Sequence, residues 1–171
     1  MDPKGYINFE VYEDGTNLCG IANITPPDIK YLTQSISGAG LAGNIETIMR
    51  GMVDTMGLQI NFHTVTGAAA SLAAPKMHML DLRVAEEYYD KTAADLDVQA
   101  DKYIMQVMPK TISPGQIAPA SASAASGEFS VYRYEAYKDG EELWVIDPEN
   151  MICRVGGIDY LENVRKALGK A

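Results

Sequence analysis

Two Asp-Gly pairs, Asp14-Gly15 near the start of the chain and Asp139-Gly140 near its end, each stand between runs that alternate apolar and polar residues. Alternation at a period of two puts successive side chains on opposite faces of a strand. Asp-Gly supplies the positive φ angles that a tight hairpin turn requires. The pattern argues against a helical bundle and predicts a mainly β fold. In the first run Ile7, Phe9 and Val11 share one face, opposed by Asn8, Glu10 and Tyr12, and residues 18–24 return as a second strand until Pro26-Pro27 stops it. The last run repeats the plan, with 129–137 outward, Lys138-Asp139-Gly140 turning, and 143–146 returning onward to Arg154. Pro148 interrupts that return and belongs at an edge or bulge, because it has no N–H to give a ladder.

Between the hairpins, residues 58–66 alternate as another strand, and 67–74 read as a short helix closed by Pro75. Runs at 77–89 and 101–108 are β-like and joined by a polar connection over 90–100. Residues 159–168 read as a C-terminal helix, with Leu161, Val164 and Leu168 at helical spacing. Asp159 stands in its first turn, Arg165 and Lys166 in its last, and Gly169 at its exit. Two stretches resist assignment. Residues 34–57 hold Gly38, Gly40, Gly43, Gly51 and Gly57 and predict an irregular loop, with Met49, Met52 and Met56 near its end suited equally to an interface or a core lid. Residues 109–127 are rich in Ala, Ser and Pro and predict a long arm. A length of 171 residues suits one domain spanning 1–171.

The chain carries 14 Lys and Arg against 23 Asp and Glu, a net charge of -9, which argues against a protein that wraps duplex DNA through its phosphates. From Asp81 to Asp101, seven acids (Asp81, Glu86, Glu87, Asp90, Asp95, Asp97, Asp101) face only Arg83 and Lys91, a local charge of -5. From charge alone, solubility is a sufficient reason for it. Chemistry is sparse. His63 and His78 lie in strand-like runs, Cys19 and Cys153 are far apart in sequence, and no metal-ligand spacing, nucleophile elbow or phosphate-binding glycine motif occurs. Glu86-Glu87 and Glu141-Glu142 are adjacent in extended runs, so each pair points to opposite faces. The expectation is no catalytic residue, no metal and no cofactor. No basic-then-apolar leader and no apolar run of membrane-spanning length is present, which predicts a soluble protein made in a cytoplasm, without a membrane anchor.

Both ends of the chain carry a longer signature. The first is Tyr12-Glu13-Asp14-Gly15-Thr16-Asn17-Leu18-Cys19-Gly20-Ile21-Ala22, running through Ile24-Thr25-Pro26-Pro27 to Ser37-Gly38-Ala39-Gly40-Leu41-Ala42-Gly43. The second is Tyr137-Lys138-Asp139-Gly140, Ile146-Asp147 with Asn150-Met151, Gly157-Ile158-Asp159, and Arg165-Lys166-Ala167-Leu168-Gly169. Together they cover about half the chain, and they resemble the major tail tube protein family of contractile-tailed bacteriophages. The middle departs from it: the Arg-Gly step frequent in that family is missing around Val107-Met108-Pro109, and the 109–127 arm looks like a local elaboration.

The resemblance implies a tail-tube β-barrel or sandwich with a C-terminal helix. It implies a homo-oligomer of hexameric rings stacked into a tube inside a contractile sheath. Tail sheath, tape measure and baseplate proteins would be partners, and double-stranded DNA would pass through the lumen unbound. The expected location is the inner tube of a virion tail, assembled in the bacterial host cytoplasm. Gly38, Gly40, Leu41, Gly43, Met49, Met52 and Ile117 are then candidate subunit contacts. Asp81 and Glu86 are candidate acids of the lumen. Rival readings are the tube of a headless bacteriocin or type VI-like machine, and a small β-barrel binding module or hydrolase using His63 or His78.

Overall fold

The computed structural model of the chain describes residues 2–170. Its centre is the long alternating run: β7 (His78–Asp90) and β8 (Asp95–Ser113) hold one register from His78↔Val107 to Asp90↔Asp95. β8 continues the sheet into β9 (Ser126–Lys138), which returns through Asp139-Gly140 to β10 (Glu141–Asp147) with Lys138 opposite Glu141. Asp139 and Gly140 have φ of 51° and 82°, the left-handed pair that lets a two-residue turn follow the strand twist. β11 (Ile152–Val155) and β12 (Ile158–Asp159) complete one edge, and β1 (Asp2–Glu13) with β2 (Thr16–Asn17) the other, in the order β12-β11-β10-β9-β8-β7-β1-β2.

β9 is a shared strand. Its first half pairs with β6 (Met56–Phe62), its second half with β10, and β6 in turn carries β3 (Ile21–Thr25). The curled sheet encloses a core of Val11, Leu58, Ile60, Phe62, Leu80, Leu82, Met105, Val107, Phe129 and Ile146. Each such side chain contributes roughly 1.5–3 kcal/mol by leaving water. α1 (Gly67–Leu72) closes the core with Ala69 and Leu72. The Thr66 hydroxyl accepts from the Ala69 N–H at 3.3 Å, which caps the helix.

Several boundaries differ from expectation. The N-terminal hairpin has only two rungs, Tyr12↔Asn17 and Glu13↔Thr16. The Leu18 N–H then closes on the Val11 carbonyl at 2.8 Å, Gly20 turns at φ +86°, and the returning strand pairs with β6 instead. A register shift between Tyr6 and Asn8 takes Ile7 off the Phe9/Val11 face and leaves it exposed. Residues 34–57 are not irregular: β4 (Tyr31–Ile36) and β5 (Ile45–Val53) form a separate two-stranded ribbon. Its β-branched and aromatic content outweighs the glycines, of which Gly38, Gly40 and Gly43 lie in the connection. Residues 90–100 belong to the β7–β8 ladder apart from 91–94, and the 109–127 arm shrinks to a connection over 114–125. Pro148 sits in the turn after β10. α2 (Glu162–Ala167) is shorter than expected because Asp159 ends β12. Leu161 is buried, while Val164 and Leu168 stay exposed.

Candidate functional site

The curled sheet has a second, polar face. Register places Tyr12, Asp81, Ile104, Glu135, Val145 and Arg154 in one row across six strands. Asp81 lies in it, but not as a free acid: Arg83 Nη2 donates to Asp81 Oδ2 at 3.1 Å, and Lys102 Nζ stands 3.8 Å away. Arg133 bonds both Glu135 and Asp147 at 2.8 Å, and Arg154 grips Glu142 at 2.7 and 2.9 Å. The Arg83 guanidinium also lies 4.5 Å from the centre of the Tyr12 ring. The four cations Arg83, Lys102, Arg133 and Arg154 are thus each held by a carboxylate. Burial works to lower Arg133, but its hydrogen bonds to Glu135 and Asp147 outweigh it and the net direction is up; the Arg154–Glu142 hydrogen bond raises Arg154 and holds Glu142 below its ordinary value.

Glu86 does not share that face. It is five residues from Asp81, an odd separation, so the pleat turns it inward with Leu80 and Leu82, where it is 8% exposed and bonded to Lys138 at 2.7 Å. Parity alone was sufficient to separate the two acids. The acid-rich stretch therefore divides three ways. Asp81 is paired on the polar face, Glu86 and Asp101 are buried, and Glu87, Asp90, Asp95 and Asp97 stand near the end of the β7–β8 hairpin.

One group of exposed apolar side chains lies on the β4–β5 ribbon, others at Tyr6 and Ile7 of β1 and at Leu96 and Val98 of β8. Leu32, Ile36, Leu41, Ile45, Ile48, Met49 and Met52 are all exposed. Gly38, Gly40 and Gly43 form the exposed tip beside Leu41. The base of the ribbon is anchored: Gly51 packs so closely on Leu161 that a Cβ would come within 2.7 Å of it, and Arg50 lies over the Tyr160 ring. Ile117 stands at the crest of the 114–125 connection with 92% of its surface exposed. The Gln116 N–H bonds the Ser123 carbonyl at 2.9 Å, and only glycine fits at 115, where a Cβ would meet that same carbonyl oxygen. The sequence singled out the ribbon glycines and methionines, but missed Leu32, Ile36, Ile45 and Ile48, whose strand pattern its glycines obscured.

His63 is exposed after β6. His78 is buried, with Nδ1 against the Glu13 carboxylate and Nε2 2.9 Å from the Ala74 carbonyl oxygen, so it ties β1 to the end of α1. Cys153 is buried, and burial pushes its thiol up. No cluster of three or more His, Cys, Asp or Glu placed to hold a metal occurs among the described residues, and no helix of these residues is long and apolar enough to cross a membrane.

A family model described as phage tail tube protein FII matches residues 3–169. In fold the chain is similar to a chain of the cryo-EM structure of an extracellular contractile injection system, PVC sheath/tube terminator in extended state. There the TM-score is 0.51 at 10% identity, covering 77% of this chain and 94% of that one. It is similar also to a chain of the PVC sheath-tube complex of such a system in the extended state, with TM-score 0.51, 11% identity, and coverage of 76% and 88%. No curated protein matches it in sequence.

Proposed function

Because the chain belongs to the phage tail tube protein FII family, and so is a structural subunit of a tail tube, we propose that copies of it close into six-fold rings that stack into a hollow conduit within a contractile sheath. The observation that carries this reading is the β4–β5 ribbon, whose apolar side chains stay in water in the single chain. Exposed apolar surface of this extent is uncommon on a monomer and marks an association surface. β1 supports it: opposite β7, its edge has a ladder partner only at Tyr12 and Glu13 among the described residues. A long open edge invites strand pairing. The ribbon adjoins the β11 end of the sheet and β1 lies at the other, so a contact between them is head-to-tail and closes a ring when the rotation per subunit divides the circle.

Gly38, Gly40, Leu41, Gly43, Met49 and Met52 then meet a neighbouring copy, as does Ile117. The polar face lines the bore, with Asp81 in it. Duplex DNA passes because no cation of the Arg83, Lys102, Arg133 and Arg154 set is free to hold a phosphate. Sheath, tape measure and baseplate proteins are the partners of such a tube, which assembles in the host cytoplasm and resides in the virion tail. A headless contractile tail requires the same subunit properties.

Negative-stain microscopy of the concentrated protein tests the assembly: hollow rods or six-fold rings are expected, and dispersed monomers overturn it. For the bore, Asp81→Lys frees Arg83 and Lys102. Tubes of that variant retain duplex DNA on sedimentation where the original tubes shed it. Variant tubes that still shed DNA remove Asp81 from the bore.

A further inference from the structure

β9 ends at Lys138, and past that rung β7 and β8 continue as a hairpin flanked by the first residues of β1. Three charged side chains meet at this junction. Asp101 on β8 pairs across to Val84 on β7 and to Lys138 on β9, and Glu86 is its diagonal neighbour on β7. Lys138 Nζ donates to Glu86 Oε2 at 2.7 Å and stands 3.9 Å from Asp101 Oδ1. Asp101 is 5% exposed, and its Oδ1 has no hydrogen-bond partner. One ammonium serves two buried carboxylates.

Among the described residues, no cation besides Lys138 is paired with either carboxylate, and Lys4 of β1 falls in the register shift opposite Glu87 and Tyr88. β1 presents Tyr6 opposite Glu86, β7 adds Tyr88, and β8 adds Tyr103, Gln99 and Asp97. β10 presents Glu141 opposite Lys138, and Asp139 follows in the turn. A site with two carboxylates and one ammonium in low dielectric is driven to keep one proton.

We propose that Glu86, Asp101 and Lys138 form a proton-operated latch. With one proton in the carboxylate pair the cluster is neutral and clamps the 86–99 hairpin to the end of β9; loss of that proton leaves a negative charge that loosens the junction. Burial first, and then the adjacent Glu86 carboxylate, push Asp101 up to about 6, while the Lys138 hydrogen bond holds Glu86 below its ordinary value. Lys138 lies 2.7 Å from Glu86 but 3.9 Å from Asp101, so the ammonium favours an ionised Glu86 and the shared proton belongs on the Asp101 side of the pair. The sign follows: the clamp is complete below the ordinary aspartate value of 3.8 as far as Asp101 is concerned, weakens as pH rises toward 6, and stays weak above it.

Amide hydrogen exchange of the full chain, corrected for the intrinsic rate, tests the latch. Protection of residues 86–100 falls by about tenfold or more between about pH 4.5 and about pH 7. Asp101→Asn abolishes that pH dependence, Glu86→Gln shrinks it while burial of Asp101 keeps a remainder, and Asp97→Asn, outside the cluster, preserves it. If Asp101→Asn does not fold, Glu86→Gln carries the test. Protection that is flat in the original chain, or a fall of undiminished size in the cluster variants, overturns the proposal. Tube formation is not needed for this readout, so the latch and the assembly reading fail separately.

Discussion

Asp147 shows how much one side chain settles. Its Oδ2 accepts from Arg133 at 2.8 Å and from the Asn150 amide at 2.7 Å, while its Oδ1 accepts the Asn150 N–H at 3.2 Å, so it joins the polar face to the β10–β11 turn. Burial alone would raise this carboxyl, but the Asn150 and Arg133 hydrogen bonds outweigh it and the net direction is down. A carboxyl lowered in the fold contributes stability above its unfolded value near 3.8, and loses it as pH falls through the lower folded one. Asp147→Asn is expected to cost about 2 kcal/mol at neutral pH and to remove part of the acid sensitivity below about pH 4. Urea midpoints followed by the fluorescence of Trp144, the chain's one tryptophan, check both. In the core, Leu82→Ala is expected to cost about 2–5 kcal/mol by leaving a cavity, read from the same urea midpoint. Residue-scale patterns were the most legible in the sequence where they obey parity: Leu80 and Leu82 inward, Asp81 outward. Glu86, a candidate for the lumen by charge, stands at an odd distance from Asp81 and faces the core side with Leu80 and Leu82 instead.

Elements were legible where the signal is local. The Asp139-Gly140 hairpin follows from two left-handed turn residues between alternating strands, and α1 from its alanines and the closing Pro75, while its Thr66 cap reads as the end of a strand. β3 was legible as a strand but its partner was not: β6 lies far along the chain, and nothing within residues 21–25 says that the chain leaves β1 after the two rungs of β2. The β4–β5 ribbon was hidden because glycine served two purposes there, loosening the tip and, at Gly51, admitting Leu161. Gly51→Val places a branched side chain at φ +79° against Leu161. It is expected to detach the base of the ribbon, seen as new proteolytic cleavage within 31–53, with a urea midpoint close to the original. Ile48→Asp with Met52→Asp leaves the fold within about 0.5 kcal/mol, since both residues are exposed, yet should abolish rods in micrographs. Rods that persist would mean the ribbon is not the contact.

At the scale of the molecule, polarity is largely sorted across the sheet: apolar side chains dominate one face and ion pairs the other, with Ile104 and Val145 on the polar side and the Glu86–Asp101–Lys138 cluster on the inner side as exceptions. Assembly through the ribbon would bury apolar surface, whose driving force near room temperature is entropic. Warming from about 5 °C to about 25 °C is therefore expected to lower the concentration at which rods appear in light scattering; rods favoured by cold would point to polar contacts instead. The shared strand β9 has a different kind of consequence, in time instead of space. β6 leaves the ribosome long before Ser126–Lys138, the strand it must pair with, and β8 waits on the same segment. Until β9 emerges, β6 and β8 each lack the strand that joins them and the core stays open, so the last quarter of synthesis decides whether the part already made folds or aggregates.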